Sequence, residues 1–475
     1  MRSALALLAM VAWAATAGAS ERAAPATLRL QVALERTHAG ETQAVWVFLR
    51  DKVDAQAAPL TPRALSRRQA RGTGPLVTDA DRPVSAVYLD QVTRAATRVR
   101  HASRWLNAVS VDATPAQVEA LRTLPFVERL DLVARFRRTP EPPDSPAVRS
   151  SSAARKSRVA VDYGASLGQL AQIGVPELHA AGLTGDGVMV AVFDTGFDNL
   201  SHEAFASMKI VAQYDFVNGD LDVANGADRG EGSHGTSTLS VLGGFAEGML
   251  VGPAYGATFL LGKTEDTTRE TPVEEDHWAA AAEWAEAAGA DVISSSLGYL
   301  DYDAGFTSYT PAQLDGDTAV STRAADLAAE RGVVVVNSAG NSGSNPTHNT
   351  LGAPADGHGV LAVGAVDATG ARTSFSSVGP SADGRIKPDV AAQGQAVLAA
   401  ASGTPHSYRY VNGTSFSCPL TAGVAALLLQ MHPEATAAQV REAMRASGSQ
   451  AAAPDNLLGW GIVNGAAAGR LLDAR

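Results

Sequence analysis

The chain is predicted to be an α/β protein whose larger part is a doubly wound, mostly parallel sheet, preceded by a small α+β domain. Three observations lead there. From about residue 159 short apolar runs alternate with alanine-rich helical stretches, whereas residues before 138 show a few strands and one well-capped helix. The charge also changes sign between the two parts: residues 20–158 hold 23 Lys and Arg against 14 Asp and Glu, a net +9, and residues 159–475 hold 14 against 35, a net −21. A length of 475 residues suits two modules, and such a charge step suits modules that attract each other.

Taken in order, residues 1–19 read as an export signal. Arg2 supplies the positive end, Ala4 to Ala17 the apolar stretch, and Ala17-Gly18-Ala19 a small-residue cleavage site. The apolar run is shorter than the roughly 20 residues of a membrane span, and no later segment is expected to be long and apolar enough to cross. The mature chain is therefore expected to be secreted, extracellular or periplasmic, and monomeric. In the 20–137 module, Leu28 to Leu34, Ala44 to Leu49, Trp105 to Val111 and Phe126 to Val133 read as strands. Thr114-Pro115-Ala116-Gln117 opens a helix with Thr114 as cap, Pro115 in the first turn and Gln117 closing a capping box. Residues 138–158 form a polar, basic linker rich in proline and serine, the material in which proteolytic nicking concentrates. In 159–475, strands are expected at Val188 to Phe193, Thr258 to Leu261, Asp291 to Ser294, Val333 to Val336 and Val360 to Val363. Ligands of such sheets bind at the carboxyl ends of the strands.

Cys418 is the only cysteine, so no intrachain disulfide can form. His202-Glu203 is not followed by a second histidine at the zincin spacing, and no other metal-ligand cluster stands out. The acidic larger part speaks against nucleic-acid binding, which wants a basic face.

Three blocks carry chemistry. Val190 to Phe193 is an apolar strand delivering Asp194 before Thr195-Gly196; Ser233-His234-Gly235-Thr236 leads into an apolar helix; Asn412-Gly413-Thr414-Ser415 opens a longer one. A serine hydroxyl is a weak nucleophile until a base accepts its proton, and histidine is the base suited to neutral pH. A buried carboxylate fixes the imidazole tautomer. A serine at a helix N-terminus also presents a backbone N–H to a developing oxyanion, and Asn341, after Ser338-Ala339-Gly340, is placed to supply a second donor. Singly each block reads as a turn or a helix cap; the order Asp, His, Asn, Ser, all at element ends, is what points to catalysis.

These blocks resemble the signature segments of the subtilase family of serine proteases, from about Tyr163 to the C-terminus. The resemblance implies a subtilisin-like fold, Asp194, His234 and Ser415 as catalytic triad, and Asn341 as oxyanion donor. It makes Ser296-Leu297-Gly298 the substrate-aligning edge and Ser338, Ala339 and Gly340 the other wall of the cleft. Residues 100–134 resemble the family's inhibitor-like propeptide. The implied protein is a secreted serine endopeptidase working through an acyl-enzyme and made as a self-processing zymogen. Its propeptide would be 20–137, its processing linker 138–158 and its catalytic domain 159–475. Its partners would be protein or peptide substrates and its own propeptide as inhibitor, with no cofactor required.

Some residues depart from the family pattern. Ser237 stands where many members have a second histidine, and Cys418 lies one helical turn beyond Ser415, where small residues are usual. The Gly243 to Gly248 segment is short and lacks an asparagine-rich loop, so a structural calcium has no recognisable site. Gly164-Ala165-Ser166-Leu167-Gly168 fits the nucleophile elbow of an esterase with Ser166 as nucleophile, although Val159 to Val161 is a meagre strand to precede it. Gly262-Lys263-Thr264 resembles part of a phosphate loop but reads as a strand end, because Ala257 replaces the needed glycine. A pseudoenzyme or a peptide ligase on the same fold is the remaining alternative. Finally, Glu274, Glu275 and Asp276 fall, by resemblance, on the rim of the cleft that holds the acyl half of a substrate. There they would favour Lys or Arg two or four residues before the cut, or else they merely belong to a helix start that Thr271-Pro272-Val273-Glu274 opens as a capping box.

Overall fold

The computed structural model describes residues 23–474 except 54, 57–59, 137–141, 145–160, 226–232, 266–272, 299–308 and 346–347. The export signal, most of the linker and the helix cap proposed at Thr271 lie outside the described residues. The N-terminal module runs α1 (Leu28–Glu35), β1 (Gln43–Leu49), α2 (Pro62–Arg71), α3 (Ala86–Ala95), β2 (Arg98–Ser103), β3 (Ala108–Ala113), α4 (Pro115–Arg122), β4 (Val127–Leu132) and the short β5 (Arg135–Phe136). Its antiparallel sheet has the order β2-β3-β1-β4. The capping box at Thr114 forms, with Gln117 N donating to Thr114 Oγ1 and Thr114 N to Gln117 Oε1.

Two strand expectations in this module are corrected. Leu28 to Leu34 is helical: Ala26 already bridges Leu130, so the edge of the sheet is occupied, and the next residues bury Leu30 and Ala33 on one helical side instead. The strand expected from Trp105 begins only at Ala108, because Asn107 turns the chain at φ 48° into the β2–β3 hairpin.

The larger part runs α5 (Leu167–Ala171), α6 (Val175–Ala180), β6 (Met189–Asp194), β7 (Lys209–Asp215), α7 (Ser233–Gly243), β8 (Phe245–Ala246), β9 (Leu250–Val251), β10 (Thr258–Lys263), β11 (Val273–Glu274) and α8 (Glu275–Ala288). It continues with β12 (Val292–Ser295), α9 (Val320–Glu330), β13 (Val334–Ser338), β14 (Val360–Val366), β15 (Val390–Gln393), β16 (Val397–Ala400), β17 (Tyr408–Val411), α10 (Thr414–Met431), α11 (Ala437–Ala446) and α12 (Gly465–Asp473). Seven strands form one sheet in the order β15-β14-β13-β12-β6-β10-β7, every pair parallel. The chain leaves β6 first toward β10 and β7 and then returns to β12 on the other side. That reversal of direction opens a crevice at the carboxyl ends of β6 and β12, where open α/β sheets hold ligands.

Both faces of the sheet are covered, which is why its strands read as unbroken apolar runs. Val190, Val192, Val334 and Val336 pack with Leu239 and Leu242 of α7 and Val424 and Leu427 of α10. Ala191, Phe193, Ile293 and Val335 pack with Trp278 and Ala282 of α8 and Ala325 of α9. Helix α10 corrects one sequence expectation, since by length and composition it could cross a membrane. Its apolar window is 89% buried inside the protein, as suits a helix enclosed on all sides.

The N-terminal module docks on α8 and α9. Along β1, Val45, Val47 and Leu49 face the module's own core, while the alternate residues Ala44, Trp46 and Phe48 join the core that contains Trp278 and Ala325. Ion pairs flank this apolar contact, all of them buried except at the partly exposed Arg63. Arg67 and Arg68 of α2 both pair with Glu286, Arg63 and Arg71 with Asp291, and Arg100 with Asp276 at 2.8 Å. The attraction expected from the charge step is therefore realised as desolvated contacts around an apolar centre, not as a diffuse field alone.

Candidate active site

Asp194 ends β6 with no exposed surface. Its Oδ1 accepts from Thr195 N at 2.8 Å and from His234 Nδ1 at 2.6 Å, and its Oδ2 accepts from Thr238 Oγ1 at 2.8 Å. His234 is the second residue of α7, so this contact needs the start of α7 pressed onto the turn after β6. Gly235 permits it: a Cβ there would lie 2.1 Å from the carbonyl oxygen of Gly196. The hydrogen bond places the imidazole proton on Nδ1 and turns Nε2 away from the carboxylate.

Ser415 lies in the first turn of α10, after Gly413 at φ 145°, a backbone conformation that favours glycine. The Phe416 ring is 5.6 Å from the His234 ring, so α10 begins beside the imidazole. Ser415 Oγ donates to Ser296 O at 3.3 Å, and Ser296 Oγ donates to Ser415 O at 2.8 Å, tying the serine to the stretch that continues β12. Asn341 Oδ1 accepts from Thr414 N and Thr414 Oγ1, both at 2.9 Å, which fixes the plane of the amide next to Ser415. Gly340 N donates to the same Thr414 hydroxyl at 3.2 Å. Asn337 Nδ2 bridges Leu297 O and Ser338 O, both at 2.8 Å, so the Ser296-Leu297-Gly298 and Ser338-Ala339-Gly340 segments are held side by side. The structure thus brings Asp194 and His234 into contact, starts α10 with Ser415 beside them, and holds Asn341, Ser296-Leu297-Gly298 and Ser338-Ala339-Gly340 next to that helix start.

Cys418 is fully buried, with its Sγ 3.4 Å from Ser295 O and 3.5 Å from Val336 O. Burial pushes its thiol up to about 12, so it stays protonated and serves as packing. Ser166 is also buried: its Oγ donates to Tyr163 O at 2.7 Å and accepts from Val251 N at 2.9 Å, in a 3₁₀ turn. No strand leads directly into it among the described residues, which removes the geometry an esterase elbow needs. Lys263 ends β10 and pairs with Asp215 at 2.9 Å, the strand end read from the sequence. The Gly243 to Gly248 segment enters the β8–β9 hairpin, and among the described residues no group of three or more His, Cys, Asp or Glu could hold a metal ion.

The acidic rim is corrected. Glu275 and Asp276 have no exposed surface in this chain. Glu275 accepts from Tyr309 Oη at 2.8 Å, from Val320 N at 3.1 Å and from Ala134 N at 3.4 Å, and burial raises its carboxyl to about 7. Burial works in the same direction on Asp276, but the Arg100 guanidinium outweighs it and holds the carboxyl well below its usual range. Both are interface residues here and not an exposed rim. The pattern gave no sign of Thr238, although its place one turn after His234 on the same helix face was a readable clue.

Comparison with known proteins gives the family. The Subtilase family model matches residues 185–461, and the model of the peptidase S8 propeptide domain, Bacteroidota, matches residues 44–147. The chain is 30% identical to subtilisin E of Bacillus subtilis (strain 168) over 298 residues, covering 60% of this chain and 66% of that one. It is 34% identical to subtilisin DY of Bacillus licheniformis over 283 residues, covering 59% and 89%. Fervidolysin from Fervidobacterium pennivorans, a keratinolytic enzyme related to subtilisin, shares the fold with a TM-score of 0.64 at 23% identity, over 91% of this chain and 62% of its own. The chain thus spans slightly under two thirds of the length of subtilisin E and of fervidolysin. Asp194, His234, Asn341 and Ser415 all lie inside the matched 185–461, and by that match the chain belongs to the subtilase family.

Proposed function

We propose that the chain is a serine endopeptidase, secreted and made as a self-processing zymogen, with Ser415 as nucleophile, His234 as base and Asp194 as its orienting carboxylate. The observation that carries the reading is the 2.6 Å bond from His234 Nδ1 to Asp194 at the end of β6, with Ser415 opening α10 beside it. His234 takes the Ser415 proton as the hydroxyl attacks the peptide carbonyl, and later delivers it to the departing amine. The Asn341 amide and the N–H at the start of α10 stabilise the oxyanion. The acyl-enzyme is then hydrolysed by water activated in the same way. Residues 1–19 are the signal, 20–137 the inhibitory propeptide, 138–158 the processing linker and 159–475 the catalytic domain.

The docked module supports that division. β5 pairs antiparallel with β11 at the head of α8, and Pro143 accepts from Asn412 at 2.6 Å. The processing cut is therefore assigned between Phe136 and Pro143. The test is intact mass and N-terminal sequencing of wild type and Ser415→Ala, with labelling by a fluorophosphonate. Ser415→Ala should remain uncut and unlabelled and lose on the order of 10⁶ in kcat, the magnitude known for subtilisin, to which this chain is related. Ser166→Ala should keep its labelling. Labelled or self-cut Ser415→Ala protein would overturn the assignment.

A further inference from the structure

The endopeptidase reading leaves one cation beside the crevice unexplained, and the role assigned to that cation rests on the same reading. Arg409, on β17, donates from its guanidinium to Ser237 Oγ at 3.2 Å and pairs with Asp144 at 3.0 Å. Its Nε has no hydrogen-bond partner among the described residues. Ser237 Oγ itself donates to Ala400 O at 2.9 Å, so its lone pair is turned to Arg409 and steadies the guanidinium. Ser237 is one of the positions at which this chain departs from its family pattern, and here it seats an arginine. Next to this contact Asn412 Nδ2 donates to Pro143 O at 2.6 Å. Backbone and side chain of two successive linker residues are thus both gripped, just upstream of Ser415 in the chain.

The direction of the linker is set by the helices it meets. Ser237 and His234 share α7, and the histidine delivers its proton to the departing amine, so the leaving half of a substrate lies on the α7 side. β5, earlier in the chain, instead pairs with β11 at the head of α8, whose Trp278 Nε1 donates to Ser295 Oγ beside Ser296 at 2.9 Å. Residues before 137 therefore approach the α8 side and residues after 141 the α7 side. That is the polarity of a peptide laid across Ser415.

We propose that Arg409 is a specificity-determining residue that binds a carboxylate side chain on the leaving-group side of the cut. The preferred substrates are then peptides with Asp or Glu shortly after the scissile bond, and Asp144 of the linker is the first such carboxylate the site holds. A planar guanidinium steadied on one edge presents its remaining donors to a carboxylate in fixed geometry, which a lysine could not do.

The test is to profile the processed enzyme with peptide pairs that differ only as Asp against Asn, or Glu against Gln, at each position after the cut. Because the pair is partly exposed, wild type should favour the acid by about two- to fivefold in kcat/KM at one such position. The ratio should fall to about one in Arg409→Gln and turn in favour of Lys in Arg409→Glu. It is internal to each variant, so a general loss of activity does not distort it. In the full chain, Asp144→Lys should slow self-processing and Arg409→Glu in the same chain should restore it. An acid-to-amide ratio equal in wild type and Arg409→Gln, or an acidic preference confined to positions before the cut, would overturn the proposal while leaving the endopeptidase reading intact. Wild-type protein that cuts no peptide at all would overturn both.

Discussion

Thr238 donates its hydroxyl hydrogen to Asp194 Oδ2, on the opposite side of the carboxylate from His234. With Thr195 N on Oδ1, the carboxylate is held from both ends and cannot rotate away from the imidazole. Hydrogen bonds to charged groups contribute about 1.5–3 kcal/mol, so Thr238→Val should lower kcat roughly tenfold or more with little change in KM. Thr238→Ser should recover most of the loss. Steady-state kinetics decide it: a Thr238→Val enzyme with wild-type kcat removes Thr238 from positioning the base.

Asn341 is anchored through its oxygen by Thr414, which orients its amide nitrogen, the proposed oxyanion donor. Asn341→Ala should fold and bind substrate yet lose about 10²–10³ in kcat, as loss of the oxyanion asparagine does in subtilisin. Thr414→Val should act in the same direction more weakly, because it loosens the anchor without removing the donor. An Asn341→Ala enzyme of undiminished kcat would place the oxyanion elsewhere.

The separately produced N-terminal module should inhibit the processed enzyme, and its association should slow as salt screens the opposite charges. Arg67→Met removes one of the three arginines paired with Glu286, and breaking buried pairs costs about 3–5 kcal/mol. With Arg68 and Arg104 remaining, inhibition should weaken by about 10², mainly through faster dissociation. Competition titrations measure both effects. No inhibition at micromolar wild-type module would refute the propeptide assignment.

Glu275 gives the docked chain a pH dependence of definite sign. Its carboxyl ionises near 7 when buried and near 4.5 otherwise, so the folded form binds the proton more tightly. Stability from this group is present below pH 4.5 and lost as pH rises toward 7, by at most about 1.4 kcal/mol per pH unit. Urea unfolding at pH 5 and pH 7 should show that slope in the full-length Ser415→Ala chain and a flatter one when Glu275→Gln is added. Equal slopes would contradict the burial-driven shift.

The sheet was legible because each strand is buried on both faces and so appears as a short apolar run. The boundaries read at Val188, Thr258 and Val360 fall within one residue of the observed starts. The candidate site could be picked out because its residues sit at element ends, where a parallel sheet concentrates chemistry. The docking surface was not. Arginines on α2 and carboxylates on α8 look like ordinary solvent-facing residues in a sequence, and only the partner surface decides that Arg67 and Glu286 are buried. For the same reason Glu275 and Asp276, read as a cleft rim, are covered by the module that also contributes Ala134 N and Arg100. Leu28 to Leu34 misled differently: its alternation fits a strand, but Ala26 had already taken the edge.

One strand, β1, belongs to two interiors at once. Val45 and Val47 complete the small module, and Trp46 and Phe48 complete the enzyme. If the connecting chain is cut and the module leaves, as the proposed function has it, its central strand keeps one wall and loses the other. A small domain has little stability to spare, and this one would carry a bare aromatic stripe into water. Under the proposed function the freed module should therefore be digested far faster than the docked one. Latency built this way would run in one direction: the fragment that could restore it would be the first thing the processed chain destroys.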